Sequence, residues 1–197
     1  MNAPNSLRAA AILDFWFGAP GSPEHGRPRE IWFRKDAAFD AEIEQRFLTE
    51  TETALVGGLV EWAATPASAL ALLLLLDQFP RNLFRNTARA FAGDRRACEL
   101  ACAYVAAGWH RDLPATEQIF VYLPFEHSED LADQERAVLL FAALAQAQPG
   151  FDGFLDYAER HREVIRRYGR FPHRNAALGR ASTAAERDYL AQPGSGF

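Results

Sequence analysis

The stretch ALALLLLLDQF, Ala69 to Phe79, decides how the rest of the chain reads. It follows Thr65 and Pro66, a cap and first-turn pair that opens a helix, and Pro80 is expected to stop it. A helix that is apolar on every side has no face for water, so it belongs at the centre of a core. The run from Ala69 to Leu76 is far shorter than the about 20 residues that span a bilayer, so no membrane role follows. Asp77 and Gln78 end it with polar groups that a buried position tolerates only when they are paired, and an arginine is the expected partner of Asp77.

Helical signals continue on both sides. Asn5 and Ser6 are candidate caps for a first helix through Leu7, Ile12, Leu13, Trp16 and Phe17, closed by Gly18. The loop GAPGSPEHGRP is too rich in Gly and Pro for helix or strand, and it ends at Ile31, Trp32 and Phe33, which must pack. Asp36 caps a long helix with Phe39, Ile43, Phe47 and Leu55 at four-residue steps, ending at Gly57 and Gly58. Asp94 is a candidate cap for a helix through Cys98, Leu100, Cys102 and Val105 to Gly108. Pro114 to Thr116 begin a shorter one ending near Leu123 and Pro124. Ser128, Glu129 and Asp130 open a helix to about Gln148, with Leu131, Val138, Leu139, Phe141 and Leu144 as its core face. Asp152 begins another that stops at Gly169, and Thr183 with Glu186 forms a capping box for a last short helix. No window alternates as a strand does. The reading is a single all-α domain over 1–197, about eight helices in stacked antiparallel hairpins.

Composition narrows the function. With 197 residues, 49% of them hydrophobic, the chain can bury a core of ordinary domain size. A net charge of -5 argues against nucleic acid as the main partner, which asks for a broad basic face. No secretion signal is visible, so the cytoplasm is the expected location. Lys35 is the only lysine, so the basic residues are almost all arginines, whose planar fork suits carboxylates and phosphates. Cys98 and Cys102 share a helix face and read as two small buried side chains in reduced form, with no further Cys to complete a metal set.

Three segments set polar groups beside an aromatic residue and a proline near a helix break: LLDQFPRNLFR (75–85), YLPFEHSED (122–130) and GRFPHRN (169–175). FPRN at Phe79 is echoed by FPHRN at Phe171. Arg81, Asn82, Arg174 and Asn175 read either as groups that satisfy carbonyls freed by proline or as ligand-holding groups. In the middle segment, Glu126, Ser128, Glu129 and Asp130 surround His127. That places the imidazole either as a general acid or base with Glu126 or as a hydrogen-bonded wall residue. Ser128 beside His127 lacks the surroundings of a nucleophile. Five histidines, among them His161 and His173, have no metal-binding spacing, so neither a metal nor a cofactor is expected. Seven arginines crowd positions 160 to 180; those beyond Gly169, Arg170 and Arg174 with His173, exceed what a helix end needs.

With LLLDQFPRNLFRNTARAF, YLPFEHSEDLADQE, YGRFPHRNAALGRAST and DFWFG near the start, the sequence resembles a bacterial family of unknown function, domain-of-unknown-function family nine-two-four, over Asp14 to Leu190. The resemblance implies helical hairpins like those of tetratricopeptide repeats and implies no reaction.

The expected function is a polar pocket lined by the three segments that binds a small anionic metabolite, with the possibility of acid/base chemistry. Arg81, Arg85, Arg170 and Arg174 would hold the anion, and His127 with Glu126 would move a proton. Asp77, Asn82 and Asn175 would orient the arginines, with Gln78, Glu129, His161 and His173 lining the site. The rival reading is a groove in which the same arginines clamp an acidic peptide or C-terminus without chemistry. The sequence leaves the oligomeric state open.

Overall fold

The fold was described from a computed structural model covering residues 3–196. Among these residues there is no strand; nine α-helical segments are joined by short 3₁₀ turns and loops. They are α1 (Ala3–Phe17), α2 (Ala37–Leu55), α3 (Pro66–Leu73), α4 (Phe79–Leu83), α5 (Asp94–Ala106), α6 (Ala115–Glu126), α7 (Leu131–Ala147), α8 (Asp152–Tyr168) and α9 (Ala184–Leu190). No helix among them is long and apolar enough to cross a membrane. The described residues divide into two compact units, one holding 3–85 and 89–124, the other 86–88 and 125–196.

In the first unit the leucine-rich helix is central, with Leu70 and Leu72 to Leu76 all buried, α1 and α5 against α3, and α2 against α4. Pro80 does not stop it. The helix widens into a π turn at Leu74–Gln78, where the Phe79 N–H reaches the Leu74 carbonyl, and then runs on as α4 to Leu83. Proline withdraws an N–H from the α ladder and its ring crowds the carbonyl four residues back, which here is Leu76; a π turn absorbs that misfit. Gly93 lies against this same carbonyl. A Cβ there would sit 2.2 Å from the Leu76 oxygen, so only glycine fits. Pro124 is likewise inside α6, which ends two residues later at Glu126.

Several caps fall where side-chain chemistry put them. Asp36 accepts from the Ala38 and Phe39 N–H groups, Thr65 from Ser68, and Thr183 and Glu186 form a complete capping box. Three local readings shift. Asn5 and Ser6 lie within α1, and Asn5 donates to Glu61 at 2.9 Å. Gly93 is the cap residue of α5, which frees Asp94 to meet an arginine. The buried face of α5 is Ala97, Ala101 and Tyr104, so Cys98 and Cys102 are only partly buried. Small alanines allow close helix contact where the larger residues would not fit.

In the second unit α7 and α8 form an antiparallel hairpin across a four-residue connection. Leu131 and Leu139 are exposed; the buried face of α7 is Gln134, Ala137, Val138, Phe141 and Leu144. Gln134 is fully buried because its amide donates to the carbonyls of Glu126 and Ser128, at 2.6 and 2.7 Å, and ties the end of α6 to the start of α7. Gly169, with φ +68°, ends α8 and turns the chain into the segment carrying FPHRN.

Candidate functional site

In the first unit the DQFPRNLFR arginines meet carboxylates. Asp77, with 1% exposure, accepts from Gln78 Nε2 at 2.6 Å and lies 3.3 Å from Arg81 Nη1. Arg81 also forks onto Asp94, Nη1 to Oδ1 at 2.8 Å and Nη2 to Oδ2 at 3.0 Å, and donates to the Asp77 carbonyl. Burial alone would ease the proton off Arg81, but Asp94 and Asp77 more than reverse this and the guanidinium is held firmly charged. One turn on, Asn82 and Arg85 converge on Asp40 of α2: Asn82 at 2.7 Å, Arg85 by a two-pronged contact at 2.8 and 3.0 Å. These interactions clasp α4 to α5 and to α2.

The second unit contains two comparable latches. Arg170 forks onto Glu186 at 2.6 and 2.8 Å and reaches the Ala181 carbonyl at 2.9 Å. The Arg170 hydrogen bond, together with the Thr183 N–H, pulls the Glu186 carboxyl down to about 2. Arg180 forks onto Glu129 at 2.7 and 2.9 Å, donates to the Phe171 carbonyl, and meets the Asn175 side-chain oxygen. Glu129 also accepts the Phe171 N–H at 2.8 Å. Burial pushes the Glu129 carboxyl upward, yet Arg180 and the Phe171 N–H outweigh it and the group sits below its ordinary range. Asn175 donates to Ser182 at 3.0 Å, closing the segment on itself.

Between these latches lies the group with chemistry to offer. His161 is buried on α8, its Nδ1 2.8 Å from the Tyr157 carbonyl and 3.1 Å from Glu126 Oε1. A carbonyl oxygen only accepts, so Nδ1 carries the proton and Nε2 keeps the lone pair. The ring packs edge-on against Phe171, with centroids 5.5 Å apart, and lies 6.3 Å from the ring of His127. His173 lies 5.5 Å from Phe171, and the Arg174 guanidinium lies over the same phenyl ring at 4.5 Å. Burial holds the His161 imidazole well below its ordinary range; the Tyr157 carbonyl opposes this, and His127, Arg174 and His173 reinforce it. His161 is therefore a neutral, anchored imidazole beside three groups that are or become cationic.

The sequence nominated His127 as the partner of Glu126; the structure gives the Glu126 carboxylate to His161, 35 positions on in the chain. Asp40, Asp94, Arg180 and Glu186 were missed as partners because each lies 13 to 51 residues from the group it meets. The only advance signal was the excess of arginines over helix ends that need them. Among the described residues, His127, His161, His173 and the nearby carboxylates do not converge as three ligands of one ion.

The family model described as bacterial protein of unknown function (DUF924) matches residues 12–194. A solved protein of unknown function from Agrobacterium tumefaciens is 41% identical, with a TM-score of 0.81 over 95% of this chain and 98% of that one. Comparison with curated proteins gives no match. The chain belongs to the DUF924 family.

Proposed function

We propose that this member of the DUF924 family binds a small anionic metabolite, a carboxylate or phosphate, in its second unit, at the group formed by His127, His161, His173 and Arg174. The Glu126–His161 pair is the proton-transfer element. The observation that carries this reading is the orientation of His161: Nδ1 is fixed by Tyr157 and Glu126, which leaves Nε2 as a lone-pair donor among cationic neighbours. A carboxylate that orients an imidazole through Nδ1 is the arrangement by which enzymes aim the opposite nitrogen at a proton. The anion-holding role narrows accordingly, since Arg81, Arg85 and Arg170 have their forks on Asp94, Asp40 and Glu186.

An anion placed beside His161 stabilises its protonated form, so binding takes up a proton and strengthens as pH falls. Sulfate is the suitable probe because its charge is constant across the range. Isothermal titration should give tighter sulfate binding at about pH 5.5 than at about pH 8, with proton uptake visible between buffers of different ionisation enthalpy. Arg174→Met should abolish it. A wild-type protein that ignores sulfate, citrate and phosphate alike sinks the reading, and one that binds only an acidic peptide is an interaction module.

A further inference from the structure

We propose that the first unit carries a binding site for one soft monovalent cation, Cu(I), held between the thiolates of Cys98 and Cys102 on α5. This is independent of the His161 reading, which concerns the other unit and other residues.

The chain has two cysteines in 197 residues, and they stand four apart in CELAC, where side chains are neighbours on a helix surface. Their Sγ atoms lie within 4.8 Å of one another, and neither is in a disulfide. Core packing does not account for the pair. The buried face of α5 is Ala97, Ala101 and Tyr104, whereas both cysteines stand on its flank, partly buried, between that face and the exposed Arg95, Glu99 and Ala103. Two small apolar fillers would belong on the buried face. On the flank, an ion can reach the sulfurs and still be shielded on one side.

The chemistry selects the ion. Thiolates are soft ligands that favour Cu(I), a closed-shell ion that accepts two sulfurs in a line, whereas Zn(II) asks for four ligands. With a metal–thiolate bond of about 2.3 Å, a linear S–Cu–S bridge spans about 4.6 Å. A pair no more than 4.8 Å apart reaches that span by side-chain rotation, without moving the helix. Binding exchanges protons for metal: two S–H bonds break, two S–Cu bonds form, two protons leave for solvent and copper stays in its +1 state. Affinity should therefore weaken as pH falls.

The helix that bears the thiols is already fixed. Arg96 donates to the Ala54 and Gly58 carbonyls at 2.6 and 2.7 Å, Asp94 accepts both prongs of Arg81, and Gly93 lies against the Leu76 carbonyl. These contacts tie the start of α5 to its neighbours, and a ligand pair on a rigid element costs little to order.

The test titrates the reduced, full-length protein, without oxygen, against Cu(I) held by the coloured chelator bicinchoninate. The wild type should take one Cu(I) per chain and bleach the chelator complex in proportion. Cys98→Ser and Cys102→Ser should each weaken binding at least about hundredfold, with unchanged circular dichroism. Zn(II) should bind the wild type at least about hundredfold more weakly than Cu(I) does. X-ray absorption at the copper edge of the wild-type complex should show two sulfur neighbours and no nitrogen. That measurement needs no variant, so it decides the matter even if a serine variant folds poorly. Wild-type protein that leaves the copper with bicinchoninate overturns the proposal. So do an affinity that survives both substitutions, Zn(II) bound as tightly as Cu(I), histidine nitrogens at the copper, or one ion shared between two chains. None of these outcomes bears on sulfate binding, the readout of the His161 reading.

Discussion

Phe79-Pro80-Arg81-Asn82 and Phe171-Pro172-His173-Arg174-Asn175 are nearly the same word used for different ends. In both, the phenylalanine is fully buried; Pro80 follows a π turn and Pro172 opens a 3₁₀ turn. In the first, Arg81 grips Asp94 and Asp77 and the motif closes a helix junction. In the second, the extra residue is a histidine and Arg174 lies over the phenyl ring beside His161. The motif itself fixes which ring is buried. What its arginine does is decided by the carboxylates that distant helices bring to it.

The largest expected effect breaks the first copy. Arg81→Met takes the Arg81 charge away from Asp77, which is 1% exposed, and removes the two-pronged contact to Asp94, so urea unfolding should show a loss of about 3–5 kcal/mol. A loss below about 1 kcal/mol would mean that the two carboxylates find water or each other's protons, and that the clasp is replaceable.

Next comes the latch beneath the second copy. Glu129→Gln removes the charge that Arg180 pairs with and replaces one of the two accepting oxygens by an NH2 donor, so one prong is lost and the other weakened, which should cost about 2 kcal/mol. Pairing it with Arg180→Met in a double-mutant cycle should show strong coupling; additive losses would show that the two act independently.

The fold was legible because its signals are local. The apolar run, the caps at Asp36 and Thr65 and the stop at Gly169 all lie within a few residues of what they control. Pro80 was misread for a physical reason: whether a proline ends a helix depends on whether the turn before it can widen and whether the freed carbonyl has room. Gly93, 13 positions away, provides that room. The site was legible as residue types and opaque as pairings. His161 was named, but its bond to Glu126 depends on how the α7–α8 hairpin returns the chain, which no local pattern encodes.

A third prediction separates the copies by pH. His161 titrates near 6.5 when unfolded and is held down to about 2 when folded, so from about pH 6.5 down towards about 2 the unfolded chain binds the extra proton. Stability should therefore fall on acidification, by at most about 1.4 kcal/mol per pH unit for one such group. His110, lowered by burial and by Arg111, adds the same sign; Glu117, raised by burial, adds the opposite sign nearer its own range. Glu186 enters only below about 4.5, where its stabilisation is lost as pH falls towards about 2. His161→Gln should flatten the slope between pH 6.5 and 5, and an unchanged slope would assign it to His110.

The smallest effect on stability bears most directly on function. Arg174 is buried over Phe171, and its charge adds to those that keep His161 neutral. If its role is structural, Arg174→Met loses the cation–π contact and should cost about 1 kcal/mol, with sulfate binding untouched. If it holds an anion, removing a positive charge from a group of like charges relieves repulsion. The empty protein then keeps or gains stability, and the melting-temperature rise with sulfate disappears. The same substitution should let His161 protonate more readily, so a two-dimensional NMR titration should show its imidazole shift moving at higher pH than in the wild type. Arg95→Met, on an exposed pair with Glu99, is the control and should change neither reading. A variant that is less stable, binds sulfate as before and leaves the His161 titration in place would make FPHRN a second copy of the FPRN clasp in role as well as in spelling.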